Sequence, residues 1–198
     1  ISEGTLSNIL TLENAAELSE EAETIFRAGQ KSTNYQHMDD TGFRVNGQNK
    51  YAHIVCNDYY SSFFIRDRKN RDTVEDILLR NKGDVPDFDI LVTDDAKQFS
   101  GVTDERALCW IHEERHYKKL TPFFKVHQDL VDDFRESIWE YYKQLKEYQE
   151  NPTEDKKILL NQKFDTLFNT QTGYTALDER IKLTREKKKY LLTVLDHP

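Results

Sequence analysis

Residues 35–66 read YQHMDDTGFRVNGQNKYAHIVCNDYYSSFFIR. Tyr35, His37, Asp39, Thr41, Phe43 and Val45 alternate onto one face of an extended chain, and Gln36, Met38, Asp40 and Arg44 onto the other. Asn46-Gly47 is a strong hairpin signal, because both residues tolerate positive φ. YAHIVCN and SSFFIR follow as further β-rich runs. Three strands joined by short turns make an antiparallel meander. RDTVEDILLR at 71–80 then reads as a short helix, with Val74, Ile77 and Leu78 on one face. FDILVTDD at 88–95 is largely apolar and ends in two aspartates, which is how a buried parallel strand reads. ALCWIH at 107–112 is read as the next strand, with a helix as the alternative. The order βββαβ puts one carboxylate on the first strand and another at the end of the fourth. The fold class expected is α/β.

Working outward, the first thirty residues suit two short helices. Leu6, Ile9 and Leu10 anchor one, and Leu18, Ile25 and Phe26 the other. Beyond Phe123 the period becomes helical, with Val126, Leu130, Phe134, Ile138, Tyr141, Leu145 and Tyr148 at three- and four-residue spacing. Asn151, Pro152, Thr153 and Glu154 stop that helix and start another, with Asn151 as the expected cap. Ile158, Leu159, Phe164, Leu167 and Phe168 supply its apolar positions. TALD at 175–178 suits a capping box that opens a third helix, running to about Leu195. The organisation expected is a helical N-terminal segment (1–34), an α/β core (35–122) and a helical region (123–198).

The 198 residues carry a net charge of −8. That balance alone favours a solvated acidic surface over a nucleic-acid binder. The distribution is uneven, however. Glu3, Glu13, Glu17, Glu20, Glu21 and Glu23 make the first thirty residues acidic. Arg180, Lys182, Arg185, Lys187, Lys188 and Lys189 make 180–190 basic. No apolar run approaches the ~20 residues of a membrane helix. The opening ISEGTLSNIL lacks the basic and apolar regions of a signal peptide. Two cysteines make no disulfide framework. The expectation is a soluble, cytoplasmic protein with no membrane partner. Walker, dinucleotide, H-E-x-x-H and G-x-S-x-G motifs are absent from the sequence.

Asp39 and Asp94 are the strongest chemical pair. Two-metal phosphoryl transfer needs carboxylates on rigid elements, holding ions about 4 Å apart. Mg²⁺ suits such a site, because it uses few carboxylates and keeps its waters. Asp40 and Asp95 adjoin the pair, but successive strand residues point to opposite faces, so one of each couple is the expected ligand. The bland alternative is that these aspartates are ordinary turn and strand-end residues. Cys109, His112 and His116 invite a zinc reading, yet a structural zinc wants four ligands and Cys56 is the only other cysteine. Cys109 and Trp110 equally suit core packing. Arg115, Lys118 and Lys119 form one basic cluster, and Arg66, Arg68, Lys69 and Arg71 another. Each suits either phosphate contact or a solvated face.

Three strings in order carry a family resemblance. HMDDTGFRVNG (37–47) resembles the first-aspartate motif of DDE transposases of the IS-sixty-six type. ILVTDDAKQF (90–99) resembles their second-aspartate strand, and ALCWIHEERHYKKL (107–120) their Cys-Trp-x-His-x-x-Arg string. The resemblance spans roughly the whole chain. It implies a ribonuclease-H-like core, in which three antiparallel strands are followed by parallel strands with flanking helices. The region 123–198 would be a helical insertion. It implies a DNA transposase that cleaves and joins strands at transposon ends with Mg²⁺ or Mn²⁺, working on DNA as a homo-oligomer. Asp39 and Asp94 would take the first and second catalytic places and hold the metal. Cys109, His112, Asp40 and Asp95 would lie beside them, and Arg115, Lys118 and Lys119 would contact DNA. The family's third carboxylate, a Glu, would fall beyond Pro198, so the chain is expected to be a fragment of the catalytic region. The alternatives are a ribonuclease-H-like nuclease without strand transfer, and a non-catalytic helical interaction module.

Overall fold

A computed structural model describes residues 2–8, 15–79, 81 and 84–198. The chain divides into two compact units, 1–105 and 106–198. Ile9, Leu10, Glu13 and Arg80, which entered the helix expectations above, lie outside the described residues.

The first unit opens with helices α1 (Glu3–Asn8) and α2 (Ala15–Gln30). Strands β1 (Tyr35–Val45), β2 (Gln48–Cys56) and β3 (Ser61–Arg66) follow, then α3 (Arg71–Leu78) and β4 (Ile90–Thr93). A 3-10 turn spans Lys97–Phe99, and β5 (Glu105–Leu108) carries the chain into the second unit. The five-stranded sheet is mixed, in the order β3-β2-β1-β4-β5. β1 pairs antiparallel with β2, and β2 with β3, while β1 pairs parallel with β4. At the hairpin tip Asn46 and Gly47 both take positive φ, 50° and 79°, as the Asn-Gly signal requires.

Alternation decides which side of the sheet is covered. Gln36, Met38, His53, Val55, Leu91 and Thr93 are buried. Met38, Val55 and Leu91 share a core with Phe26 of α2, Val74, Ile77 and Leu78 of α3, and Phe88 and Phe99. α3 starts where Asn70 accepts the Thr73 amide, which satisfies one of its orphan donors. Gln30 ties α2 to α3 by donating to the Leu78 carbonyl at 3.0 Å. Phe43, Phe63 and Ile65 alternate onto the opposite side and are exposed.

The second unit is helical beyond β5: α4 (Trp110–Lys118), α5 (Lys125–Glu150), α6 (Glu154–Leu167), α7 (Thr175–Glu186), α8 (Lys188–Leu191) and a 3-10 turn at Thr193–Leu195. Its core gathers Trp110, Tyr117, Phe134, Ile138, Tyr141, Leu145, Tyr148, Leu160, Phe164 and Phe168. The polar tips of three aromatics find backbone partners, as buried Trp and Tyr must. Trp110 Nε1 donates to Leu191, Tyr141 to Leu160 and Tyr148 to Leu195, each at 3.0 Å.

Five sequence expectations change in this unit. Trp110, Ile111 and His112 open α4 instead of ending a strand, because the indole reaches the Leu191 carbonyl from a helical turn. Thr153, not Asn151, caps α6 by accepting the Lys156 amide; Asn151 closes α5. Ile158 and Leu159 of α6 are half exposed, and Leu160 takes their expected place in the core. Tyr174 precedes α7, and Asp178 accepts from Thr172 and Gly173 instead of closing a box on Thr175. The helix also breaks at Lys187, well before Leu195.

Glu113, only 4% exposed, is the polar centre of this core. Arg180, Lys187 (3.2 Å) and the Thr184 hydroxyl (2.6 Å) all donate to it. With the Thr184 proton committed to Glu113, the Tyr117 hydroxyl donates to Thr184 at 2.5 Å. Glu114, equally buried, accepts from Arg135 at 2.6 Å. These pairs fix α4 against α7 and α5.

Gly29 marks the tightest approach in the first unit. A Cβ there would lie 2.6 Å from the Tyr60 ring carbons Cε1 and Cγ. That ring cannot swing freely, since its hydroxyl donates to Gln36 at 2.8 Å and its face tilts against Phe26. Gly29→Ala is expected to destabilise the protein by about 1–3 kcal/mol, as overpacking does. A thermal or urea melt reads this directly, and an unchanged midpoint would contradict the packing described.

Candidate active site

The parallel ladder between β1 and β4 pairs Tyr35 with Ile90, Gln36 with Leu91 and His37 with Val92. The ladder ends at His37 and Val92; Asp39 lies two residues further along β1, and Asp94 follows directly after β4. Partners in register on parallel strands point to the same face. Asp39 therefore belongs to the face of Tyr35 and His37 on β1, and Asp94 stands at the end of β4. Both aspartates are half-buried. Asp39 Oδ1 accepts the Asp40 amide at 2.8 Å, and Asp94 Oδ1 accepts the Ala96 amide at 3.0 Å. That second bond is an Asx turn, which bends the chain away just after β4 ends.

Asp40 lies on the opposite, helix-covered face and has a different job. Its side chain is 6% exposed. Lys69 donates to one oxygen at 3.0 Å and Gln98 to the other at 3.1 Å. One carboxylate thus joins β1, the β3–α3 connection and the turn after β4. Asp40 pairs in register with His53 on β2, a fully buried imidazole whose Nε2 lies 3.2 Å from the Arg68 carbonyl. Of the two ring nitrogens only Nε2–H can donate to that oxygen, so His53 carries its proton there. Asp95 is exposed.

Lys69 links the two faces electrostatically. Its hydrogen bond to Asp40, then the Asp40 charge, and at longer range the charge of Asp94 hold its ammonium above the usual lysine value. It also lies 5.8 Å from the centre of the Tyr51 ring. Sequence reading placed Lys69 in a basic cluster free to meet phosphates. The structure instead commits most of that cluster internally: Arg66 to Asp76, Arg71 to Glu75 and to the Ser100 and Gly101 carbonyls.

Cys109, His112, Arg115, Lys118 and Lys119 belong to the second unit. Cys109 precedes α4 as its N-cap residue, without a side-chain capping bond. His112 Nε2 lies 3.2 Å from Arg115 Nη1. Burial and the neighbouring Arg180 charge push the His116 imidazole below its usual value, an environment hostile to a cation. Among the described residues no three His, Cys, Asp or Glu side chains gather as a metal site, so the zinc reading gains nothing. The basic run 180–190 is likewise partly consumed: Arg180 and Lys187 by Glu113, Lys188 by Asp165 and Arg185 by Asn169. Glu179 and Glu186 of α7 are exposed.

Sequence reading missed Gln98, His53 and Glu113. Gln98 and Glu113 matter through partners 58 and 67 or more positions away, which no local pattern reveals. His53 had a signal: it alternates in step with Val55 in YAHIVC and so points inward.

The comparisons with known proteins agree with the motif order. The model of the Transposase IS66 family matches residues 1–197. The chain belongs to this family of DDE transposases of insertion sequences. It is also similar to an uncharacterized protein, y4jO, of Sinorhizobium fredii, at 32% identity over 109 residues. That match takes in 55% of this chain and 33% of the relative, so the chain spans about a third of the relative's length. Among solved structures, a chain of a simian T-cell lymphotropic virus intasome bound to the PP2A regulatory subunit B56 gamma aligns over 91% of this chain and 67% of its own, with 14% identity. Its TM-score of 0.32 is too low to inform the fold. No helix among the described residues is long and apolar enough to cross a membrane.

Asp40→Asn is expected to return the Lys69 ammonium toward the value of a free lysine. The pair's stabilisation is present below the unfolded lysine value of about 10.4 and is lost as pH rises through the higher folded value. The wild type should therefore lose stability on the alkaline side of pH 10 more steeply than Asp40→Asn. Melting curves across that range check it. Parallel slopes would mean that the ion pair is not formed.

Proposed function

We propose that this chain forms part of the catalytic region of a DDE transposase, with Asp39 and Asp94 as its first two metal-binding carboxylates. One observation supports the reading: β1 and β4 pair in parallel, and Asp39 and Asp94 each follow the last ladder partners, His37 and Val92, by two residues. Family membership and the ordered motifs support it. A strand order of β3-β2-β1-β4-β5, with β2 antiparallel to β1 and β3 and β4 parallel to β1, supports a ribonuclease-H-like core. The helical stretch 123–198 is then an insertion after the core of 35–122, and 1–34 a helical lead.

Two carboxylates on rigid elements suit a hard divalent cation that fills its remaining positions with water. Mg²⁺ or Mn²⁺ held there would activate the attacking oxygen and stabilise the leaving one. The chain's own part is placement. The strand ladder holds Asp39, the Asx turn aims Asp94, and Asp40 anchors the segments around them through Lys69 and Gln98. No described residue is assigned as the third carboxylate. The substrate is DNA at transposon ends, cleaved and joined in the cytoplasm by an oligomer of the full transposase. Arg115, Lys118 and Lys119 are its proposed phosphate contacts, and Cys109 and His112 are proposed to support the catalytic aspartates.

The test uses the full-length transposase on labelled transposon-end DNA with Mg²⁺. Asp39→Asn and Asp94→Asn should each lower cleavage at least about a hundredfold, since each removes a metal ligand and not merely a neighbour of one. Melting temperatures should stay near wild type. Full activity in either variant sinks the assignment. Hydrolysis products without joined strands would instead identify a nuclease.

A further inference from the structure

The α4–α5 connection in the second unit carries, beside the cations proposed above as phosphate contacts, a series of aromatic rings that the chemistry above does not use. Residues 115–128 hold Arg115, Lys118, Lys119 and Lys125 and no Asp or Glu, in a chain of net charge −8. Phe123 is 93% exposed and Phe124 61%. The two rings meet edge to face, with centroids 5.3 Å apart and planes at 87°. Phe124 in turn presents its edge to His127, at 5.9 Å and 85°. His127 lies flat on Tyr174, at 4.4 Å and 11°. Tyr174 packs against the helical core. Four rings thus run from the core outward, and the outermost offers its surface to solvent. Pro122 restricts the backbone just before them, and α5 begins just after Phe124.

We infer that this ring series and its lysines form a stacking platform for the unpaired bases of single-stranded DNA. The inference rests on the DNA-substrate reading above and adds to its proposed phosphate contacts a surface for the bases. An exposed phenyl ring gains most from another flat ring, and every base has one, so stacking needs no particular sequence. A base stacked on Phe123 would carry its phosphate toward cations, and Lys118 and Lys119 are exposed beside the rings in sequence. A protein partner would value the rings but not the cations, because charged side chains are depleted from protein interface cores. Duplex DNA would meet the lysines but not the rings, because its bases are already stacked on one another.

Fluorescence anisotropy of the 198-residue chain separates these cases. The probes are a labelled oligothymidylate of about ten nucleotides, within the span such sites bind, and a blunt duplex of equal length. Phe123→Ala should weaken single-strand binding about fivefold or more, with duplex binding changed less than about twofold. Phe123→Trp should restore the single-strand affinity. Lys118→Gln with Lys119→Gln should weaken both probes and flatten the salt dependence. Phe123 sits at the surface, so its variants are expected to fold. The inference is overturned if the wild type fails to bind the single strand, or if Phe123→Ala affects both probes equally or neither. It is also overturned if that variant only dissociates a self-associated form in sedimentation, which would assign the rings to a second copy. Cleavage that depends on Asp39 and Asp94, together with strand binding indifferent to Phe123, removes this inference and leaves the catalytic reading intact. The reverse pattern does the opposite.

Discussion

The parallel pairing of β1 with β4 is the constraint on which the candidate site depends. These strands are far apart in sequence, and only their ladder fixes which residues of each stand together. A slip of one residue would exchange faces along the whole of β4. It would send Leu91 and Thr93 off the covered side and shift Asp94 relative to Asp39. Burial of Leu91 beside Met38 and Val55 therefore does more than stabilise the first unit. It selects the register on which the proposed pairing of the two carboxylates rests.

The doublet Asp39-Asp40 divides two tasks between adjacent positions. Alternation sends Asp40 to the helix-covered side, where Lys69 and Gln98 occupy both of its oxygens. A carboxylate so engaged has little left for a metal. Asp39 bonds only its neighbour's amide among the contacts described above. On the proposed reading the first aspartate performs chemistry, and the second holds three chain segments in place around it. The charge of Asp94 also reaches Lys69, so the two faces are coupled through that cation.

The strands were legible because alternation, the Asn-Gly turn and the apolar run at β4 are local signals. The placement of Asp39 on β1 and of Asp94 at the end of β4 was legible for a related reason: each lies in a short motif bounded by local signals. Partners brought together by tertiary folding were not. Lys69 read as a surface cation until the fold delivered Asp40 to it. Trp110 read as part of a strand because one apolar run serves strand and buried helix alike. The capping signals misled at Asn151 and Thr175, since several residues nearby could cap and packing chose among them. Glu113 and Glu114 sit in a charged string that reads as surface. Three helices close over them only once Arg180 and Arg135 arrive to neutralise them.

The central claim is that Asp39 and Asp94 share a divalent cation. Anomalous diffraction from crystals grown with Mn²⁺ tests it most directly. The account predicts a peak contacted by both carboxylates on the face opposite Lys69. A peak on Asp40, or two aspartates too far apart to share an ion, would contradict it.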